Sequence, residues 1–324
     1  MRVTAIAPSN IAFIKYWGKK DEILRLPANT SISMNLSNLN TTTTVEFSKD
    51  FENDSVEINK STTDAPRVIK FIDIIRKRAN IIGKVKIVSE NNFPTAGGLA
   101  SSASGFAALT VAATTAAGLR LSEKELSILA RIGSGSASRS IPDGFVEWHE
   151  GDSSDTSYAE SLYPADYWDI ADVIAIIDEG KKDVPSTEGH KSAQSSIFFP
   201  DRMKNINNKI KNIKEAIRKK DFPQFGEIIE AEALEMHAVM LTSVPPLIYW
   251  QPATIRLMRE VINWRREGLS VYFTIDAGPH LHLICQKKDE RNVTKRLILI
   301  EEVEKTVINS PSAGARIITA TSGF

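Results

Sequence analysis

Strand and helix signals alternate along the 324 residues and predict a mixed α and β chain whose second half is rich in helix. Three observations carry that prediction. β-Branched and aromatic residues gather in short runs at 2–7, 41–48, 54–59 and 84–89, as strands require. Between them Val68, Ile69, Ile72, Ile75 and Ala79 recur at helical spacing across Ala65–Asn80. Beyond residue 200, long periodic segments dominate over strand-like runs.

The elements follow in order. Residues 100–118 read as a helix of small and apolar side chains. A second helix spans 122–132, opened by Ser122 with Glu125 three positions on, the spacing of a capping box. Val173–Ile177 is a compact apolar strand, and 180–202, rich in Ser, Lys, Asp and Pro, reads as a connecting or active-site loop. Helices are predicted over Asp201–Lys219 and Phe222–Ser243, with a hard break at Pro245-Pro246. Thr254–Glu267 is a further helix, ended by Gly268. Val271–Asp276 and Leu281–Gln286 pair as strands, followed by a helix over 289–305 and a strand over 315–320. Repeats and low-complexity tracts are absent, and the shift in composition near 180–190 divides the chain into domains 1–183 and 184–324.

Composition narrows the function. Forty basic residues balance forty acidic ones, so no general field gathers nucleic acid or an anionic membrane, and any anion site must be local. The lone Cys285 lies in the apolar run Leu281–Cys285 and reads as a small core residue. A signal-peptide core and any 18-residue apolar run are lacking, which predicts a cytoplasmic protein. His149, His190, His237, His280 and His282 have no zinc-type spacing. The lysines of 204–220 fall on the solvated face of an amphipathic helix.

Four segments carry chemistry. Pro94–Gly105 puts two glycines and a Ser/Ala run at the start of the 100–118 helix. Unpaired N–H groups there, backed by the helix dipole, suit phosphate oxygens, and a serine hydroxyl suits Mg²⁺. Without other information the same stretch is equally a flexible loop before a buried helix. It has no Gly-Lys-Ser/Thr ending and no Gly-x-Gly-x-x-Gly, so neither a P-loop nor a dinucleotide fingerprint is present. Lys15-Tyr16-Trp17-Gly18-Lys19 follows an apolar strand and offers two point charges to a carboxylate or phosphate, or else forms an exposed basic turn. Gly133–Ser140 combines small residues, hydroxyls and Arg139, whose fork can clamp a carboxylate, although a solvated loop has the same pattern. Asp276 sits where an apolar strand meets Gly278-Pro279, in a position common to turn caps and catalytic carboxylates.

The Pro94–Ala103 pattern resembles the phosphate loop of the GHMP kinase superfamily. Asn10-Ile11-Ala12-Phe13-Ile14-Lys15-Tyr16-Trp17-Gly18-Lys19, Gly133–Ser140 running on to Phe145-Val146-Glu147-Trp148, and Asp276-Ala277-Gly278-Pro279 resemble, in order, three signatures of the diphosphomevalonate decarboxylases within it. Asn29–Ser33, Asn92–Ala96 and Met236–Ala238 extend the likeness over essentially the whole chain.

This resemblance implies an α+β GHMP kinase fold, with an N-terminal domain like ribosomal protein S5 domain 2 and a C-terminal ferredoxin-like domain. It implies ATP-dependent decarboxylation of mevalonate 5-diphosphate to isopentenyl diphosphate, with ATP and Mg²⁺ as cofactors. Asp276, Lys15 and Arg139 are then catalytic; Asn10, Tyr16, Lys19, Arg67, Ser134, Ser136 and Ser186 bind substrate. Asn92, Pro94, Gly97, Gly98, Leu99, Ala100, Ser101, Ser102 and Ser104 cradle ATP, with Ser102 facing Mg²⁺. A homodimer is expected, with no nucleic-acid or membrane partner.

One departure stands out. Ile141-Pro142-Asp143-Gly144 replaces the family's Gly-Gly before Phe145. A proline and an acid beside an anionic substrate would alter loop shape and charge, which keeps a phosphomevalonate decarboxylase as an alternative. Further rivals are a small-molecule kinase that stops at phosphoryl transfer and a non-catalytic α/β binding protein.

Overall fold

The computed structural model describes residues 1–93, 99–177 and 184–321. The chain begins with β1 (Arg2–Ile14), β2 (Lys19–Asp21), β3 (Leu26–Pro27), β4 (Ser31–Ser48), β5 (Ser55–Ile58) and β6 (Ser61–Thr62). Helix α1 (Pro66–Ala79) leads to β7 (Lys84–Asn91), α2 (Ser101–Ala116) and α3 (Glu123–Gly133). A 3-10 turn, Gly135–Ser140, then reaches β8 (Phe145–Trp148), β9 (Ala159–Tyr163) and β10 (Ile170–Ile176). Four helices follow: α4 (Ser186–Ser192), α5 (Phe199–Lys219), α6 (Phe222–Leu241) and α7 (Pro252–Arg266). Last come β11 (Val271–Thr274), β12 (Leu281–Gln286), α8 (Glu290–Ile298), β13 (Lys305–Asn309) and β14 (Arg316–Thr321).

Two main sheets organise these elements, beside a two-stranded β2-β3 ribbon. The larger runs β14-β1-β4-β7-β5-β6, with β8 paired to β4 and β9 to β8; the smaller runs β11-β12-β10-β13. Strand β10 precedes residue 183, yet its partners β12 and β13 come from the far end of the chain, and β14 returns to the larger sheet.

Apolar side chains define the layers. Val3, Ala5, Ala7, Val45 and Ile87 pack on α1, α2 and α3. Further along β1 and β4, Ile11, Phe13, Ile32 and Met34 join Phe225, Ile229, Ile174 and Ile284 in a core lying between the two sheets. The smaller sheet's other face packs on α7 and α8 through Val261, Trp264 and Val293. Strand β1 thus buries odd positions on one side up to Ala7 and on the other from Ile11. A register shift against β4 between Pro8 and Asn10 turns the strand over.

The capping box at Ser122 forms as expected, its hydroxyl accepting from the Glu125 N–H. Four expectations need correction. The 180–202 stretch contains α4, whose side chains are mostly polar and mask its periodicity. Residues 31–40 extend β4, because Ser31, Ser33 and Asn35 are buried polar groups rather than apolar strand markers. The short strands β8 and β9 were not anticipated. The helix over 289–305 stops at Ile298, and the β-branched run Thr306-Val307-Ile308 forms β13 instead. Among the described residues, no helix is long and apolar enough to cross a membrane.

Candidate active site

A cleft of about 470 Å³ opens where β1 leaves the larger sheet, and residues from seven separate segments line it. Lys15 is the first residue beyond β1, and its side chain is 1% exposed. Its Nζ lies 2.6 Å from Asp276 Oδ1. The turn between β11 and β12 carries Asp276 and is pinned at two points. The His237 ring Nε2 lies 3.2 Å from the Asp276 carbonyl, and the Thr254 hydroxyl donates to the Pro279 carbonyl. Burial pushes the Lys15 ammonium below its ordinary value, opposed by Asp276. Burial would raise the Asp276 carboxyl, but the charge and hydrogen bond of Lys15, with His282 and Arg139 beyond, outweigh it and hold the group below the usual range.

Arg139 is 3% exposed and leaves the 3-10 turn toward the cleft. Its Nε and Nη2 donate to Asn10 Oδ1 at 3.0 and 2.8 Å, and its Nη1 donates to Ser31 Oγ. Burial lowers its pKa to about 10, so it stays charged at neutral pH. Asn10 Nδ2 donates to the Ser136 carbonyl and to Ser140 Oγ. Asn10 therefore stands behind Arg139 and is not among the cleft-lining residues, so its amide orients the guanidinium.

Tyr16, Lys19, Arg67, Ser134, Ser136 and Ser186 all reach the cleft wall. Lys19 pairs with Glu22 at 2.7 Å. Arg67 donates to the Gly133 carbonyl at 2.6 Å and sits over the Phe106 ring. Ser134 Oγ lies 3.2 Å from Ser102 Oγ and 3.4 Å from Ser136 Oγ, which ties the start of α2 to the 3-10 turn.

Of the expected ATP cradle, Leu99, Ala100, Ser101 and Ser102 line the cleft, while Pro94, Gly97 and Gly98 lie outside the described residues. Ala100 adopts φ +53° and makes no side-chain cap hydrogen bond to the start of α2. Two expected members sit elsewhere. Ser104 faces the sheet, 2.6 Å from Thr41 Oγ1, and Asn92 accepts from the Asn40 N–H.

Trp17 and Met236, which lie in family-like segments but have no role assigned from the sequence, also line the cleft, as do Arg25 and His190, which the sequence does not point to. The spacing of His190 from the other histidines carries no metal signal. Its ring lies 4.2 Å from Tyr16 and 4.5 Å from Trp17, and its Nδ1 accepts from the Gly18 N–H at 3.0 Å. Burial, then Lys19, Arg139 and Arg25, hold it well below its usual pKa, so it is neutral.

The Ile141–Gly144 departure does not approach the cleft. Asp143 accepts from the Gly314 N–H at 2.6 Å, Gly144 donates to the Ser312 carbonyl, and Pro142 accepts from Asn35. The acid and proline dock the segment that leads into β14, and none of the four residues lines the cleft. The expected disturbance of the anion site is thereby removed. Away from the cleft, Glu147, His149 and Glu160 come within metal-ligating reach of one another, but Lys214 Nζ already holds Glu147 at 2.6 Å.

Comparison with known proteins agrees with this geometry. Residues 7–159 match the model of the diphosphomevalonate decarboxylase-like N-terminal domain, and residues 172–316 match the mevalonate 5-diphosphate decarboxylase C-terminal domain. The diphosphomevalonate decarboxylase of Candida albicans is 40% identical over 91% of this chain and 86% of its own length. The chain belongs to the diphosphomevalonate decarboxylase family. The human member is 37% identical over 86% of this chain and 75% of its own. Among solved structures, the Staphylococcus aureus mevalonate diphosphate decarboxylase superposes with a TM-score of 0.94 at 40% identity, covering 98% of both chains. MDDEF in complex with MVAPP, AMPPCP and magnesium gives 0.92 at 39% identity, covering 99% of both. The α+β GHMP-type architecture is thus shared along the chain.

Proposed function

We propose that this protein catalyses ATP-dependent decarboxylation of mevalonate 5-diphosphate, releasing isopentenyl diphosphate, ADP, phosphate and CO₂. The observation that carries this reading is the 2.6 Å contact between Lys15 and Asp276 in a cleft that Arg139 also lines. It is supported by relatives named for this reaction and by a solved relative in complex with MVAPP, AMPPCP and magnesium.

The chemistry requires three things of the protein. A tertiary hydroxyl leaves poorly, and ATP supplies the phosphoryl group that converts it into a good leaving group. Asp276, ionised at neutral pH, accepts the C3 hydroxyl proton as the oxygen bonds to phosphorus. Lys15 balances the charge of Asp276 and of the phosphoryl group in flight. Arg139, oriented by Asn10 and Ser31, holds the substrate carboxylate in plane. When the C3–O bond breaks, the C1–C2 electron pair becomes the C2–C3 double bond and CO₂ departs. Tyr16, Lys19, Arg67, Ser134, Ser136 and Ser186 take the diphosphate end.

The start of α2, where Ala100 makes no side-chain cap, fits nucleotide phosphates through the positive end of the helix dipole, and the Ser102 hydroxyl beside it suits Mg²⁺. Leu99, Ala100, Ser101 and Ser102 would hold the nucleotide there.

The test is turnover of purified protein with Mg-ATP and, in parallel, mevalonate 5-diphosphate and mevalonate 5-phosphate, following CO₂ and ADP together. Equal yields of CO₂ and ADP from the diphosphate are expected. ADP without CO₂ would make the protein a kinase, and preference for the monophosphate would overturn the substrate.

A further inference from the structure

Helix α3 ends against the cleft, and its last carbonyls lie beyond the reach of its own hydrogen-bond ladder. Two consecutive ones are taken by arginines. The Ile132 carbonyl accepts from Arg25 Nε at 3.0 Å, and the Gly133 carbonyl accepts from Arg67 Nη2 at 2.6 Å. The negative end of the helix dipole favours cations there. Two guanidiniums are therefore fixed side by side, next to Ser134 and Ser136, and both line the cleft.

Arg25 is held there against its backbone preference. It adopts φ +52°, a region that residues with a branched or long side chain rarely occupy. The turn is kept in place by its neighbours. Leu24 donates its N–H to Asp21, and the Leu24 carbonyl accepts from the fully buried Arg131, which is itself tied to Ser154. Such an over-determined outlier at a cleft marks a side chain whose position matters.

The charge there is unbalanced. Lys19 has Glu22 as its partner, but among the described residues neither Arg25 nor Arg67 forms an ion pair with a carboxylate. The hydrogen bond of Arg25 to Ile132 uses Nε, and its terminal nitrogens make no hydrogen bond among the described residues. A single phosphoryl group at neutral pH carries nearly two charges; two adjacent guanidiniums, a lysine and two hydroxyls exceed what it needs, and a diphosphate matches them better.

We propose that Arg25 is a specificity-determining residue that binds the outer phosphoryl group of the diphosphate and so selects it over a monophosphate. This rests on the function proposed above. The inner phosphoryl group falls to Ser134, Ser136 and Lys19, and Arg67 spans the two.

The test compares Arg25→Asn and Arg25→Lys with the unmodified protein. Asparagine tolerates the left-handed turn, so the charge is removed without a new backbone strain. For mevalonate 5-diphosphate, Arg25→Asn should raise KM by about 10–100-fold with kcat within about threefold, the loss of a charge-assisted contact. KM for mevalonate 5-phosphate should move less than about threefold, so the preference collapses. Arg25→Lys should fall between. Equal losses on both substrates, or no change on either, would overturn the proposal, as would a lowered thermal midpoint accounting for the loss.

Calorimetric titration with inorganic diphosphate and orthophosphate reads the same residue without turnover. Arg25→Asn should weaken diphosphate binding about tenfold or more and leave orthophosphate unchanged; unchanged diphosphate binding refutes the role. If the unmodified protein turns over neither mevalonate ester, the proposed function fails, and this titration still decides the role of Arg25.

Discussion

Removing the Asp276 charge should expose how strongly it is coupled to Lys15. The two side chains are 25% and 1% exposed and 2.6 Å apart. At an effective dielectric of about 20, their gross attraction is about 6 kcal/mol, much of it offset by the desolvation of both groups. Deleting one member of a buried pair costs about 3–5 kcal/mol, and the partial exposure of Asp276 puts Asp276→Asn near about 3 kcal/mol. Lys15→Met should cost less, about 1–2 kcal/mol, because Asp276 keeps cleft water and Arg139 nearby. The double variant should resemble Lys15→Met alone, so the coupling energy equals the whole cost of Asp276→Asn, about 3 kcal/mol. Denaturant unfolding of all four proteins at pH 7 measures it. In parallel, turnover of Asp276→Asn should fall about a thousandfold or more while nucleotide binding persists. Effects that simply add to within about 0.5 kcal/mol, or a variant retaining a tenth of normal turnover, would refute the pairing and its catalytic role.

Two further outcomes follow from the cleft's hydrogen bonds. Asn10→Ala should leave Arg139 without its main acceptor, lowering kcat/KM about 10–100-fold with Arg139 still present; a fall of less than about twofold, in steady-state assays, would show that Asn10 does not orient it. His190 has a folded pKa well below 6.5, so the unfolded chain takes up its proton first. Its contribution is fully present above pH 6.5 and is lost as pH falls from 6.5 toward the folded value, by at most about 1.4 kcal/mol per pH unit. His190→Gln should flatten that slope between pH 5 and 6.5 in denaturant titrations, and an unchanged slope would contradict the assignment.

The chemistry was more legible in the sequence than the architecture around it. Lys15, Arg139, Asp276, Ser134, Ser136 and Ser102 belong to short segments where residue type and spacing jointly restrict what the chain can do, and all reach one cleft. Asn10 shares their segment, but whether it faces ligand or Arg139 depends on a bulge that no local pattern reveals. Arg25 and His190 lie in a turn and a short polar helix, where a charge or a ring carries no periodic signal. Ser31, Ser33 and Asn35 hid half of β4 because their burial is set by the fold and not by residue type; Ser31 and Asn35 find partners at Ile14 and Pro142. The acid and proline of 141–144 look disruptive until Gly314, some 170 residues away, supplies the partner of Asp143, and Asn35 that of Pro142.

The central core draws Phe13 and Met34 from one end of the chain and Ile174, Phe225 and Ile284 from the other. Each matched segment, 7–159 and 172–316, also packs a core of its own, yet each made alone would expose the apolar surface that the other covers in the shared one. The division recognised by sequence families thus runs through a shared interior: the two lobes draw part of their cohesion from each other, and the cleft takes its lining from both.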